Sequence, residues 1–497
     1  MNIASYLRAG AAEAGNAAAL VHGQRNITYP ALIDRVSRLA SGLAELGVQR
    51  GDRVVLLLPN RAELVEVLWA SFWAGFVAVP VNWHLHPDEV GYIVGDCEAA
   101  AVVVSDETAG VLDILPDHVR ALRLKGSDPA DSGPDYEILL SAEPGAMAEV
   151  SPDDPAWLFY TSGTTGKPKG AVLSHRNLAA MTTAYHHDLD PVADGSVYLH
   201  AAPLTHGSGL YLLPATARGA TNVIAPGLRF SPTSYLDLIE EHRATHAAFL
   251  APTMLKRLLD EARGRTLTSL RSIVVGGAPL YQEDLRAAIG TFGPIIVQMY
   301  GQGESPMTIA VMAADEALAH PGSCGRPFTN VDVRIVDTAG RSLPDGEDGE
   351  VLVRGDVVMR GYWHNPEATA RTLVDGWLHT GDIGHFDDGY LHLTDRAKDV
   401  IITGGSNVYP REVEEVLLTH PGVREAAVIG VPDTEWGESI RAFVVAEPQL
   451  DTQQLIDHCR AHAASFKKPR DVVFVDELPK NAAGKILKRE LRMIPDA

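Results

Sequence analysis

Between Tyr160 and Gly170 the chain reads Tyr160-Thr161-Ser162-Gly163-Thr164-Thr165-Gly166-Lys167-Pro168-Lys169-Gly170, directly after the strand-like run Trp157–Tyr160. Hydroxyls, glycines that free backbone N–H groups and two lysines, gathered in one short loop, are what a polyphosphate requires. A plain Gly/Ser/Thr turn seldom collects so many donors. The loop is not a Walker loop, because GxxxxGK[ST] needs Gly where Thr161 stands and Ser or Thr where Pro168 stands.

The elements that must hold this loop alternate helix and strand. Thr28 to Gly47 reads as a helix: Pro30 suits its first turn, Leu32, Val36, Leu39, Leu43 and Leu46 form an apolar stripe, and Gly47 ends it. Val54–Leu58 and Val77–Val81 read as buried strands around a helical Arg61–Gly75, which implies a covered, largely parallel sheet. Ala101–Val104, Trp157–Tyr160, Ala247–Leu250, Ile273–Val275 and Ile295–Met299 continue the series, and ligands in such sheets collect at the carboxyl ends of strands. After about residue 330, short runs such as Val331–Val336, Glu350–Val353 and Tyr390–Leu393 predict a small β subdomain. From Asp399 onward, strand Val400–Thr403, helix Pro410–Thr419, strands Ala426–Val431 and Ala442–Ala446, helix Thr452–Ala464 and strand Val472–Val475 predict a compact α+β unit. Asp128–Asp135 reads as a polar loop.

Composition narrows the partners. With 42 basic and 64 acidic residues the formal net charge is −22, which repels a nucleic-acid backbone and obliges an anionic small molecule to find a dedicated cationic pocket. Cys97, Cys324 and Cys459 are isolated and odd in number, so neither a disulfide framework nor a CxxC metal knuckle is written here, and a reducing compartment fits. Met1–Leu20 carries Arg8 and Glu13 without a continuous apolar core, unlike a secretory signal. The best apolar run, Val67–Val81, is broken by Ser71 and Pro80 and falls short of a membrane helix, so a cytoplasmic protein is expected.

The loop from Tyr160 to Gly170 closely resembles the phosphate-loop signature of the adenylate-forming superfamily, which spans acyl- and aryl-CoA synthetases, adenylation domains of peptide synthetases and luciferases. The resemblance extends over nearly the whole chain. It implies an α/β fold: a large N-terminal domain of parallel-rich βα sheets with the small β subdomain, residues 1–397, followed by a small mobile α+β domain, residues 398–497, with its hinge at Lys398. It also implies that Thr161, Ser162, Gly163, Thr164, Thr165 and Gly166, with Lys167 and Lys169, bind the nucleotide phosphates. Tyr300-Gly301-Gln302-Gly303-Glu304 resembles the YGxTE pattern, whose glutamate helps hold Mg²⁺ on the phosphates, a hard-oxygen role suited to a carboxylate. Gly303 departs from the pattern's threonine, and the work of that hydroxyl then passes to a water, to a neighbour such as Ser305, or to nothing. Trp377-Leu378-His379-Thr380-Gly381-Asp382 resembles WxxTGD, in which the carboxylate of Asp382 would accept from both ribose hydroxyls. In Asp395-Arg396-Ala397-Lys398-Asp399, Arg396 would reach the ribose. Pro479-Lys480-Asn481-Ala482-Ala483-Gly484-Lys485-Ile486 matches the PKxxxGK tail, which makes Lys485 the lysine bridging substrate carboxylate and α-phosphate.

Gly276-Gly277-Ala278-Pro279 matches the family's adenine and acyl floor, and Met299, Tyr300, Gly301 and Gln302 add nucleotide contacts. Pro203-Leu204-Thr205-His206-Gly207 resembles the element whose histidine lines the carboxylate tunnel. His206 therefore joins Lys485 and Glu304 as catalytic candidates, and Gly207, Tyr211, Phe249, Gly276 and Gly301 join it as acyl contacts. The stretches His206–Tyr211, Phe249–Thr253, Gly276–Ala278 and Met299–Pro306 contain no cation for a second carboxylate, which favours aromatic or medium-chain monocarboxylic acids over dicarboxylic ones. Thr403-Gly404-Gly405-Ser406-Asn407 resembles the loop that lets the CoA pantetheine approach. Trp436-Gly437-Glu438 and Phe466-Lys467-Lys468-Pro469-Arg470 resemble CoA-contacting segments, so Gly404, Gly405, Trp436, Phe466, Lys468 and Arg470 are the CoA candidates.

The resemblance thus implies an AMP-forming acid–thiol ligase using ATP, Mg²⁺ and CoA, with rotation about Lys398 separating two half-reactions. It also implies that a lysine acyltransferase and deacylase could switch Lys485 by removing its charge. A ligase loading a separate carrier protein is the rival; the CoA-like segments and a chain ending twelve residues after Lys485 count against it. A non-catalytic nucleotide- or acyl-binding homologue is the third reading, motivated by Gly303. A homodimer is the default for soluble oligomers.

Overall fold

The first long helix, Tyr29–Glu45, starts where the Thr28 hydroxyl accepts from the Ala31 N–H at 3.4 Å, with Pro30 in the first turn. Its stripe Leu32, Val36, Leu39 and Leu43 is buried, Leu46 is partly so, and Gly47 turns away at φ +97°. Here and below the coordinates are a computed structural model describing residues 1–124, 136–161, 167–396, 399–403, 406–433, 436–463, 467–481 and 486–494, and of Asp395, Arg396, Ile402, Ser406, Asn407 and Gly437 the backbone alone. The Asp128–Asp135 loop lies outside the described residues.

Helix Ala62–Ala74 is buried from Ala62 to Trp73, and its two carboxylates, Glu63 and Glu66, are paired with Arg25, Arg35 and Arg61. It shares one core with Val54 and Leu56 of a six-stranded sheet and with Leu20 and Ile224 of a second, larger sheet. The six-stranded sheet runs Arg120–Arg123, Ala99–Val104, Arg53–Leu57, Val77–Pro80, Pro155–Thr161, Lys169–Ser174. Its first five strands are parallel, as the βαβ alternation predicts, and the sixth returns antiparallel with Tyr160 opposite Gly170. The phosphate-type loop is therefore the turn of an edge hairpin.

In the larger sheet Ser272–Val275 lies between His246–Leu250 and Ile296–Tyr300, all parallel, and Val197–His200 extends the run beyond His246–Leu250. Their carboxyl ends deliver residues 201–206, 251–253, 276–279 and 301–304 to one edge. The β-rich texture expected from about residue 330 begins earlier: Ala310–Met312 pairs antiparallel onto Ile296–Tyr300, Ser323–Pro327 pairs antiparallel onto Ala310–Met312, and the same sheet runs on into Tyr390–Arg396, Trp377–Asp387, Gly349–Arg354 and Asp332–Val336. Ala310–Met312 is three residues long and wholly buried, so it shows no alternation to read.

Trp377–Asp387, legible only as a motif, is one eleven-residue strand whose register shifts between Ile383 and Gly384. The last sheet joins Ser406–Val408, Ile401–Thr403, Gly437–Ala446, Val423–Asp433 and Asp471–Phe474. Along Gly437–Ala446, Ala442 and Val444 pack under helices Pro410–Leu418 and Thr452–His462, while Phe443 and Val445 face a second small core with Leu478 and Leu491. Among the described residues no helix is long and apolar enough to cross a membrane.

Candidate functional site

A cleft of about 1010 Å³ opens where the strand ends of the large sheet meet the edge hairpin and the last sheet's unit. Thr161, Pro168, His206, Gly277, Tyr300, Gln302 and Asp382 all line it.

Asp382, 7% exposed, accepts from the Tyr300 hydroxyl at 2.6 Å and the Gln302 amide at 2.7 Å through one oxygen, Oδ2. The same Gln302 amide also donates to the Thr380 carbonyl at 3.0 Å, which locks the pentad after Ile296–Tyr300 to the strand that carries Asp382. Burial, and then the neighbouring Asp382 carboxylate, hold the Tyr300 phenol far above its ordinary pKa, so it stays a donor.

Glu304 Oε1 accepts from Thr161 Oγ1 at 3.2 Å and from the Tyr362 hydroxyl at 2.8 Å. A Cβ at Gly303 would lie 2.5 Å from Thr161 Cγ2 and 2.6 Å from the Phe159 ring, so glycine is required there by the neighbours' packing. Ser305, the sequence candidate to replace the missing hydroxyl, is fully buried and donates inward to the Thr308 carbonyl at 3.3 Å. Thr161 is the hydroxyl beside Glu304 instead.

Lys169 Nζ lies 4.9 Å from the Tyr362 ring centroid and Lys167 Nζ 5.1 Å from that of Tyr92. Asp96 gathers the Tyr92 and Tyr160 hydroxyls at 3.3 and 2.6 Å beneath the hairpin. Ser162, Gly163, Thr164, Thr165 and Gly166 lie outside the described residues.

At the other end of the cleft the walls are glycine and bulk. Gly277 is left-handed at φ +81°, and Phe249 Cζ lies 3.4 Å from where its Cβ would be. A Cβ at Gly276 would meet Met299 Sδ at 2.4 Å, one at Gly301 would meet Met307 Cα at 2.6 Å, and one at Gly207 would stand 3.1 Å from both Met307 Sδ and Phe249 Cζ. Met307, one residue beyond the stretch read as tunnel lining, thus packs against Gly207 and Gly301, and its backbone is held at φ +59°. His206 packs edge-on to Phe159 at 5.8 Å with Nδ1 3.0 Å from Thr205 Oγ1, and burial pulls its pKa down to about 4. It is a neutral imidazole at neutral pH. Tyr211 is buried behind Phe249, ring centroids 6.1 Å apart, and its hydroxyl has no hydrogen-bond partner among the described residues.

Ala278 and Pro279 also line the cleft. Of the described CoA candidates, Arg470 stacks over Trp436 at 4.8 Å, Lys467 of the same run pairs with Glu412, and Trp436, Lys468 and Arg470 are not among the residues that line the cleft. Gly404, Gly405, Phe466, Lys485 and Lys398 lie outside the described residues, as does the side chain of Arg396. Asn481 and Ile486, which flank the segment holding Lys485, do line the cleft. So do Lys256, Arg424 and Lys488, cations that sequence spacing gives no reason to select. Lys256 donates to the Arg424 carbonyl at 2.8 Å and Tyr281 to Glu414 at 3.0 Å, tying the last sheet's unit to the large one.

The family model described as AMP-binding enzyme matches residues 7–363, and that described as AMP-binding enzyme C-terminal domain matches residues 412–485. A feruloyl-CoA synthase of Amycolatopsis sp is 40% identical over 488 residues, covering 96% of each chain. A fatty acid–[acyl-carrier-protein] ligase, ScoC, of Streptomyces coeruleorubidus is 37% identical, covering 94% of this chain and 91% of that one. The crystal structure of the anthranilate CoA ligase AuaEII in complex with anthranoyl-AMP superposes with a TM-score of 0.91 at 29% identity, covering 99% of this chain and 97% of that one.

Proposed function

The chain belongs to the AMP-binding enzyme family, and we propose from that premise that its cleft joins a carboxylic acid to ATP, releases pyrophosphate and passes the acyl group from acyl-AMP to CoA. The observation that carries this reading is the pair of carboxylates, Asp382 and Glu304, each held by two side-chain donors in or beside one cleft directly next to the phosphate-type hairpin.

Oxide is too poor a leaving group for a thiol to displace from a carboxylate, so the acid is first made an anhydride. A carboxylate oxygen attacks the α-phosphorus, the bond to pyrophosphate breaks, and the thiol sulfur later attacks the acyl carbon with AMP leaving. Asp382 binds the ribose hydroxyls, and its two donors leave it fixed but still able to accept. Thr161, Lys167 and Lys169, with the N–H groups of the hairpin turn, bind the phosphates. Glu304 offers hard oxygens with one, Oε2, accepting no hydrogen bond among the described residues, which suits Mg²⁺. When bound on the phosphates, Mg²⁺ neutralises negative charge that would otherwise repel the incoming carboxylate. Lys485 supplies the cation between carboxylate and α-phosphate, in keeping with Asn481 and Ile486 in the cleft wall. The second half-reaction uses a turn of residues 398–497 about Lys398, which carries the Gly404, Gly405, Trp436, Phe466, Lys468 and Arg470 surface toward the acyl-adenylate for CoA.

The acid is an aromatic or medium-chain monocarboxylate: around Gly207, Phe249, Gly276 and Met307 the described walls are apolar, and neutral His206 offers no charge to a second carboxylate. The protein works in a reducing cytoplasm, with buried thiols of Cys97, Cys324 and Cys459 pushed up to about 12, 12 and 11. Acylation of Lys485 would switch off the first half-reaction alone.

Pyrophosphate release from Mg-ATP, measured across aromatic, short and medium-chain acids with and without CoA, tests this. Thioester formation with an aromatic or medium-chain acid is expected. Acyl-AMP accumulating despite CoA would move the assignment to a carrier-protein ligase, and no acid-dependent release from any acid would end the catalytic reading.

A further inference from the structure

Glu304 is held from more than its own strand end. Residues 359–363 run beside Lys169–Ser174: the Arg360 N–H donates to the Val172 carbonyl at 3.0 Å, Val172 N–H to Gly361 at 2.9 Å, and Trp363 N–H to Gly170 at 2.8 Å. At one end of this stretch the Met359 N–H donates to the Glu304 carbonyl at 2.8 Å. Near the other, the Tyr362 N–H is anchored on Thr369 Oγ1 at 2.9 Å and its hydroxyl reaches Glu304 Oε1 at 2.8 Å. One short segment therefore ties the backbone of the carboxylate's turn, the carboxylate itself and the strand leaving the phosphate-type hairpin.

We propose that Tyr362 is a positioning residue for Glu304: with Thr161 it saturates Oε1 and so presents Oε2 to a divalent cation carried on the ATP phosphates. This rests on the reading of the cleft given above. Two donors on one oxygen restrict rotation of the carboxylate about its last bond, which a single donor would leave free to exchange its oxygens. Lys169 over the Tyr362 ring adds a cation to the same face. Gly303 belongs to the device as well, because any Cβ there would push Thr161, at 2.5 Å, off Glu304.

The test is calorimetric titration of the full chain with a non-hydrolysable α,β-methylene ATP analogue, with and without Mg²⁺. Tyr362→Phe is expected to lose about tenfold of the affinity that Mg²⁺ adds, the worth of one hydrogen bond to a charged group. Its Mg²⁺-free affinity, unfolding midpoint and CoA-dependent turnover of supplied acyl-AMP should stay within about twofold or a degree of the wild type. Thr161→Val should lose the Mg²⁺ increment together with part of the Mg²⁺-free affinity, because Thr161 also faces the phosphates, and Thr161→Ser, which keeps the hydroxyl, should restore both. A Tyr362→Phe protein whose Mg²⁺ increment is unchanged, or whose affinity falls equally with and without Mg²⁺ alongside a lower midpoint, overturns the positioning role. A wild-type protein with no Mg²⁺ increment at all overturns instead the assignment of Glu304, and thioester formation by that protein would leave the proposed reaction standing.

Discussion

At the phosphate end of the cleft, Glu304 and Asp382 are held by donors 58 to 143 residues away in sequence, each bond 2.6 to 3.2 Å long. At the acyl end packing prevails: Gly207, Gly276, Gly277 and Gly301 yield space that Phe249, Met299 and Met307 fill. The first end is defined by direction, because a hydrogen bond weakens steeply as its angle opens. The second is defined by volume, because dispersion contacts ask only that space be filled. A substitution at the first should damage the reaction with every acid, and one at the second should change which acid is used.

Asp382→Ala breaks the first end most severely, since it takes the carboxylate acceptor from the buried Tyr300 hydroxyl and leaves the Gln302 amide only its bond to the Thr380 carbonyl. We expect kcat/KM for ATP to fall about 100-fold with every acid, measured as initial pyrophosphate release. If the loss depends on the acid, the two ends are not separate. Phe249→Ala and Met307→Ala sharpen the contrast from the other side: the ratio of kcat/KM for a bulkier over a smaller acid should rise about tenfold while KM for ATP stays within about twofold.

His206 sits at the junction. Because its imidazole is already neutral at neutral pH, His206→Asn should cost no more than about threefold at pH 7, and kcat/KM for the acid should show no ionisation from this residue between pH 6 and 8. A loss near that of Asp382→Ala would put His206 with the polar end instead.

The smallest effect concerns stability. His175 and His200 are buried, 1% and 0% exposed, and burial lowers both to about 4 against an ordinary 6.5, with Asp154 pulling His175 weakly the other way. The unfolded chain takes up these protons near pH 6.5 and the native one resists until about 4. Stability is therefore whole above 6.5 and lost as pH falls toward 4. Urea midpoints should drop between pH 7 and 6 by less than about 1 kcal/mol for each imidazole, and His200→Gln should flatten that slope.

Much of the phosphate end was legible in sequence, since the strand-loop chemistry of Tyr160–Gly170, Tyr300–Glu304 and Trp377–Asp382 lies in contiguous runs. Tyr362 was not, because in Gly361-Tyr362-Trp363 nothing separates a donor to Glu304 from an ordinary packed tyrosine. Asp96 was hidden for the same reason at the end of helix Pro87–Asp96. Met307 was missed by one residue, its wall position set by the fold of the turn after Glu304. Of the CoA candidates, Trp436 and Arg470 meet as a stacked pair, a contact that their separation of 34 positions in sequence does not announce.

What the sequence determined by itself was the order of strands and helices, through apolar period and caps, and the kinds of groups that face phosphate, through local runs of hydroxyl, glycine, lysine and carboxylate. Tertiary structure alone decided which oxygen of Glu304 is occupied, that Thr161 and the Phe159 ring fill the space above Gly303, and that Met299 and Met307 close on Gly276 and Gly301. The physical reason is range. Periodicity and turn chemistry act within a few residues, whereas a hydrogen bond across 143 positions or a methionine closing on a glycine exists only once the sheets have brought separate strand ends to one edge.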